Sequence, residues 1–221
     1  WIIFITLFIS LFLLSSIFSI KTSLNYEIEI NSKELLGGDL EISSGINPLS
    51  EEIIEKISES GQLSQTVKFH TMLSREDKDS IFTDIRAIDK YYPLYGSIQT
   101  NPKGSSQTLF LGSSNPGILI NENIQNQFEL EVGDNVTILN KKFTVQGIIL
   151  SVPNLDGAMI YGEFALISKS EFEKFNLTSA GSFLDYDYRL KIKNNENTQP
   201  QIEKIKSFIN DDKTIKIRTP R

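Results

Sequence analysis

The chain has 221 residues and no cysteine, and its 22 Lys and Arg stand against 28 Asp and Glu, a net charge of −6. Without Cys there is no disulfide framework, no thiol nucleophile and no cysteine-based metal site. The acidic balance and the lack of any basic run exclude nucleic acid as the main partner, while 39% hydrophobic and 23% charged residues suit a globular fold and not a disordered tail.

Residues 1–20 carry no charged side chain, so every Asp, Glu, Lys and Arg lies beyond them. About 20 apolar residues at ~1.5 Å rise match a ~30 Å hydrocarbon core, which predicts a transmembrane helix over 1–20. No basic residue precedes this run and no A-x-A-like site follows it, so it reads as an uncleaved span and not as a signal peptide. The chain does not begin with Met, and further sequence is expected before it. Residues 21–36 hold no Gly or Pro, which predicts that the helix continues as a stalk until Gly37 and Gly38 stop it. The stalk is therefore placed over 21–37.

An alternating strand follows at 39–43. Ser50 is the expected N-cap of a helix with Glu51 and Glu52 in its first turn and Ile53, Ile54 and Ile57 on its buried side, ending at Gly61. Strands are predicted near 64–73 and 80–89 with a turn over 75–79; Ile81, Ile85 and Ala87 face one way, Asp84 and Arg86 the other. From residue 93 to 182 the texture changes to Gly, Asn and Ser with short strands: 117–120, an amphipathic turn at 122–129, strands at 136–139, 143–150 and 163–168, and a helix at 171–175 capped by Ser170 with Glu173. Leu184, Tyr186, Tyr188, Leu190 and Ile192 then alternate with Asp185, Asp187, Arg189, Lys191 and Lys193, the pattern of a strand with one buried and one wet face. A capping box, Thr198 with Gln201, opens a helix with Ile202, Ile205, Phe208 and Ile209 on its apolar side, and a strand at 214–218 closes the chain.

The order is βαββ, an interruption, then βαβ. This predicts an α+β fold: a ferredoxin-like α/β unit over 38–92 and 183–221, with a β-rich subdomain inserted at 93–182.

Candidate chemistry is sparse. His70, the one histidine, has no second His or Cys to complete a metal site and reads as structural or exposed. The pairs Asp77/Asp79 and Asp185/Asp187 fall on what the alternation marks as the solvent face, so solvated charge outweighs acid–base work. There is no G-x-S-x-G elbow and no phosphate-binding loop. The segment that draws interest is 88–96, IDKYYPLYG, at the handover into the insert. Pro93 restricts Tyr92 to extended backbone and Gly96 permits a turn, which makes Tyr92, Pro93, Tyr95 and Gly96 hinge or packing candidates between the subdomains.

Several segments together resemble one family: GGDL at 37–40, KFHTM at 68–72, AIDKYYPLYG at 87–96, QTNPKG at 99–104, LEVGD at 130–134, FTVQGI at 143–148 and GS at 181–182. They are similar to the periplasmic core domain of MacB-type ABC transporter permeases of the FtsX-like superfamily, the YbbP type in particular. Where that pattern continues Gly-Ser with Arg, Phe183 stands here.

The resemblance implies a first transmembrane helix, a stalk ending at Gly37 and Gly38, a "porter" α/β subdomain and an inserted "sabre" subdomain. It implies residence in the bacterial inner membrane with this part periplasmic, no enzymatic activity and no cofactor in this chain. ATP would be bound by a separate cytoplasmic ATPase subunit, whose motion the stalks carry across the membrane to export or extract hydrophobic compounds or lipids. The implied partners are membrane lipid, that ATPase, a second permease copy or paralogue and a possible periplasmic protein. Two rivals from other classes are the extracytoplasmic sensor domain of a membrane signalling receptor and a membrane-anchored hydrolase.

Overall fold

The computed structural model describes residues 1, 3–8, 12, 15–17, 20–21, 32–76, 78–111, 115–153, 162–177, 184–193, 198–209 and 215–220. Eight of the twenty residues of the expected span, and residues 22–31 of the stalk, lie outside this set. Residues 3–8, 15–17, 20–21 and 32–36 are helical, and the apolar side chains of Ile3, Phe4, Phe8, Phe12 and Ile17 are exposed. No helix among the described residues is long and apolar enough to cross a membrane.

From residue 40 onward the elements are β1 (Leu40–Gly45), α1 (Glu51–Ser60), β2 (Gly61–Arg75), β3 (Lys78–Ile88), β4 (Gln99–Asn101), α2 (Ser105–Thr108), β5 (Gly117–Asn121), α3 (Glu122–Phe128), β6 (Asn135–Ile138), β7 (Lys141–Ser151), β8 (Phe164–Ser168), α4 (Lys169–Glu173), β9 (Leu184–Ile192), α5 (Thr198–Ile209) and β10 (Lys216–Arg218). The fold is mixed α+β, built on one sheet that runs β10-β1-β9-β2-β3-β8-β5-β7-β4.

The first four strands of that order make a split βαβ pair. β1-α1-β2 and β9-α5-β10 interlock so that β9 lies between β1 and β2, antiparallel to both. The local signals are the expected ones for α1: the Ser50 hydroxyl accepts from the Ile53 N–H, and Glu51 and Glu52 sit in the first turn, near the positive end of the dipole. Ile57 of α1 and Ile202, Ile205 and Ile209 of α5 pack on Leu40, Ile42 and Leu190. Each such side chain, fully buried, contributes roughly 1.5–3 kcal/mol.

The remaining strands close a ring. β2 pairs β3, β3 pairs β8, β8 pairs β5, β5 pairs β7, β7 pairs β6, and β6 returns to β2 through Leu73–Ile138 and Ser74–Thr137. β2 is long enough to serve both units: residues 61–69 pair β9, and its last turn of strand meets β6. Closure leaves no open edge around this ring. Its interior holds Val67, Phe69, Ile85, Ile118, Phe143 and Ala165, with Ile124 and Phe128 of α3 and Phe172 of α4 in the same core.

The two faces of the sheet differ in kind. The face bearing α1, α5 and the ring interior is mainly apolar, interrupted by Gln65, Thr71 and Thr83. On the other face, Ile88, Leu119, Phe164 and Leu166 form an apolar patch with Tyr92 and Leu109 over the ring, but over the split βαβ pair the same face is polar and buried.

Three expectations are corrected. The wet face predicted for β9 is buried at its centre: Asp187 and Arg189 are 2% and 1% exposed, because charged partners from β1 and β2 lie alongside them, while Lys191 and Lys193 are exposed as expected. Asp187 therefore does not belong to a solvated carboxylate pair. Arg86, expected opposite the buried face of β3, is fully buried, since the segment around Tyr92 and Pro153 covers that side as well. Phe208 is 42% exposed rather than part of the apolar side of α5, with Lys56 and Lys204 each 5.9 Å from its ring. Two caps also shift. α4 starts at Lys169, behind Ser168, whose hydroxyl lies 3.0 Å from that of Ser170. Thr198 is already the first residue of α5, and Gln201 Oε1 has no hydrogen-bond partner among the described residues.

Candidate functional site

The polar half of the sheet is where the end of the stalk meets the domain. Residues 32–36 form the last helical turn, and Gly37 follows with φ +77°, the left-handed conformation that ends helices at glycine. The Gly37 and Gly38 N–H groups both donate to the Lys33 carbonyl, at 2.8 and 3.1 Å. Gly38 then passes close over β9, where a Cβ would lie 3.1 Å from the Leu190 carbonyl and 3.3 Å from Arg189 Cβ. Asp39 continues the chain into the sheet, its N–H on Leu190 O at 2.8 Å.

Arg189 is the centre of the arrangement. Its Nε donates to the Leu36 carbonyl at 3.2 Å, one of the four carbonyls that a helix end leaves without an intrahelical partner. Nη1 donates to Thr66 Oγ1 at 2.9 Å on β2, and Nη2 to Glu41 Oε1 at 3.0 Å on β1, with Asp187 Oδ2 at 3.5 Å on its own strand. One guanidinium thus ties the stalk end to three neighbouring strands. The fork of an Arg meets all of these at once, which a Lys cannot do. Lys68 completes the charge balance, 2.9 Å from Asp187 Oδ2. Burial pushes the Asp187 carboxyl up, but the charges of Arg189 and Lys68 outweigh it and hold the group below its ordinary value.

A second strand of contacts runs through Asp39, which is 1% exposed. Its Oδ2 accepts from the Ile192 N–H at 2.9 Å and from the Tyr95 hydroxyl at 3.0 Å, and Oδ1 lies 3.4 Å from Lys33 Nζ on the stalk turn. The Tyr95 ring in turn carries Lys191 Nζ at 4.6 Å from its centre, and the same ammonium donates to the Leu94 carbonyl at 3.4 Å. Gly96, at φ +74°, faces the stalk directly: a Cβ there would collide with Glu34 Oε1 and come 3.0 Å from Pro153 Cγ.

The sequence candidates are thus drawn together. Gly37, Gly38, Tyr95 and Gly96 lie in one junction. Tyr92 sits beside it on the ring side, where its hydroxyl accepts from Arg86 Nη1 at 3.1 Å and donates to the Pro153 carbonyl at 3.0 Å. The bond into Pro93 is cis. Asp89 fixes the start of the segment by accepting from Ser64, Gln65, Tyr91 and Tyr92. His70 stands apart, half-exposed and stacked on Phe82 at 5.5 Å. Asp77 lies outside the described residues.

No protein-family model matches the chain. Among solved structures, the periplasmic region of MacB from Actinobacillus actinomycetemcomitans covers 88% of this chain and 94% of its own, with a TM-score of 0.56 at 13% identity. The chain has the MacB-type periplasmic fold. The extracellular domain of YknZ, a noncanonic ABC-type transporter from Gram-positive bacteria, shares it over 80% of this chain and 90% of its own, with a TM-score of 0.54 at 8% identity. By sequence, the chain is similar to the uncharacterized ABC transporter permease YbbP of Escherichia coli strain K12, at 23% identity over 177 residues. That alignment takes in 78% of this chain and 20% of YbbP, so the chain spans about a fifth of the relative's length.

Arg189, Glu41, Thr66 and Glu34 carry no functional signal in the sequence, and Asp39 and Lys68 stand out there only as members of the GGDL and KFHTM segments. A charged residue in an alternating strand reads as solvent-facing, and only the strand order of the MacB-type fold, with β9 between β1 and β2, places Arg189 beside Glu41 and Thr66. Two opposite charges at i and i+2, as in Asp187 and Arg189, were the available hint.

Proposed function

We propose that this chain is the first transmembrane helix, stalk and extracytoplasmic domain of an ABC transporter permease, and that it passes ATP-driven motion from the membrane to the periplasm. The observation that carries the reading is the Arg189 junction. A helix end bonded through its last carbonyl to a buried guanidinium, which is itself tied to three strands, moves the sheet when the helix moves. In this reading residues 1–20 span the inner membrane and 21–37 form the stalk. Residues 38–92 and 183–221 are the porter-like part, and 93–182 the sabre-like part, with β2 and β3 shared as the rigid connection. The chain is non-enzymatic. ATP is bound and hydrolysed by a separate cytoplasmic subunit, and the permease works with a second copy or a paralogue on hydrophobic compounds or lipids. Support comes from the MacB-type fold, the charge-free first 20 residues and the similarity to a permease.

The test uses the full-length protein together with the ATPase subunit the proposal requires. Flexible residues inserted near Lys21 to Ser23 are expected to leave ATP hydrolysis running while transport stops. Continued coupling through that break, or a gene with a kinase domain and no further hydrophobic spans after Arg221, would overturn the proposal.

A further inference from the structure

A groove of about 790 Å³ opens on the outside of the ring next to the stalk junction, with Pro93 and Gly96 at one end and Lys103 and Gly104 among its lining. Its volume lies within the ~300–1,000 Å³ of small-molecule sites. The lining combines two features. Phe110 and Leu150 present apolar surface, 39% and 55% exposed, and Ile98 and Tyr92 extend it inward. Lys90 and Lys103 supply positive charge, and the lining contains no Asp or Glu. Among the described residues no carboxylate pairs with either lysine; Lys90 rests over the Tyr91 ring at 4.9 Å.

In a chain of net charge −6 this is a local inversion. The whole stretch 90–121 contains no acidic residue. Exposed apolar side chains grouped in a concave site mark a binding surface, and a cationic rim without counter-charges selects the sign of the occupant's head. The position selects its source. Gly96, which lines the groove, lies against Glu34 of the stalk, and in the proposed reading the stalk leads from the bilayer.

We infer that this groove binds an anionic lipid, with the head at Lys90 and Lys103 and an acyl chain along Phe110, Leu150 and Ile98. The inference rests on the permease reading only for the direction from which the lipid arrives.

The test places the full chain in phosphatidylcholine nanodiscs with a diazirine-bearing lysophosphatidylglycerol and maps the photo-adducts by peptide mass spectrometry. Adducts are expected on the peptides containing Phe110 and Leu150. Unlabelled lysophosphatidylglycerol should compete, whereas glycerol 3-phosphate and lysophosphatidylcholine should not. Reversing both charges, Lys90→Glu with Lys103→Glu, should lower the adduct yield by about tenfold or more. Both side chains are exposed, so the variant's thermal midpoint should match the parent's and separate lost binding from lost folding. Adducts only elsewhere, equal competition by lysophosphatidylcholine, competition by glycerol 3-phosphate alone, or equal labelling of the double variant would each overturn the site. Specific labelling in a protein that shows no ATP-coupled transport would keep the site and refute the permease reading instead.

Discussion

Replacing Arg189 by Met keeps the length of the stem and removes the charge and every donor. Four groups then lose a partner: Leu36 O, Thr66 Oγ1, Glu41 Oε1 and Asp187 Oδ2. Asp187 keeps Lys68 at 2.9 Å, but among the described residues Glu41 keeps only Arg218 at 3.7 Å, on a largely exposed side chain. Breaking a buried ion pair by removing one partner costs about 3–5 kcal/mol, because the remaining charge stays buried. For a domain of this size about 2–4 °C of melting temperature goes with each kcal/mol, which gives a loss of roughly 6–20 °C for Arg189→Met. A thermal melt followed by circular dichroism reads it. The pairing itself is isolated by a double-mutant cycle with Glu41→Gln. If Arg189 neutralises Glu41, then Glu41→Gln should be destabilising in the parent and neutral or stabilising in the Arg189→Met background. Arg189→Met within 1 kcal/mol of the parent, on the order of surface substitutions, or a cycle that is additive, would refute the assignment of Arg189 as the hub.

Asp187 makes stability depend on pH. Its folded-state value is depressed, so its contribution is fully present above the unfolded carboxylate value of ~3.9 and is lost as pH falls through the folded value; Asp187→Asn should be less stable near neutrality and show a shallower acid limb in denaturation at pH 2–5. Gly96→Ala should cost about 1–2 kcal/mol for the left-handed backbone alone, plus the collision with Glu34; pairing it with Glu34→Ala should recover the collision and not the backbone part, read by urea unfolding. Tyr95→Phe removes one donor from buried Asp39 and should cost about 1–3 kcal/mol, while leaving near-neutral values for Tyr91→Phe, whose side chain is exposed.

Element positions were readable because their signals are local. Ser50 with Glu51 and Glu52, the alternation from Leu184 to Ile192, and Gly37 after a Gly-free run each act within a few residues, and α1, β9 and the helix stop lie where these signals put them. Sidedness was readable only where one face is apolar. In β9 the alternation is real, but the polar face is covered at Asp187 and Arg189, since burial of a charge depends on partners from β1 and β2 that are distant in sequence. The burial of Arg86 likewise depends on a distant segment, the one around Tyr92 and Pro153, and that of Lys68 on Asp187 of β9. Tyr95 and Gly96 stood out through unusual composition, whereas their partners Asp39 and Glu34 are ordinary residues made special by register alone. Closure of the ring through Leu73 and Ile138 leaves no trace in local pattern.

The contrast between the two faces bears on how the stalk is held. α1 and α5 are fastened by isoleucines on an apolar surface, a contact that tolerates small slides because it has little directionality. The stalk end is fastened by a carbonyl, a guanidinium, two carboxylates and a phenol, each with a direction, so it has one docked orientation. The same groups are strongly hydrated when released, which returns much of what separation removes. A contact of this kind is orientation-specific when closed and inexpensive to open, and it is the fastening expected of a helix that must push and turn a sheet repeatedly and re-seat in one register. An apolar stalk contact of equal strength would expose hydrocarbon at each opening. On this reasoning Arg189→Met with Glu41→Leu, Asp187→Leu and Lys68→Met should yield a domain at least as stable as the parent, since buried ionic groups replaced together by apolar ones are often neutral or stabilising. If the chain transmits ATP-driven motion as proposed, the full-length variant should nevertheless lose coupling between ATP hydrolysis and transport. Recovery of both stability and coupling in that quadruple variant would show that the junction needs only adhesion, and that its charges have no part in transmission.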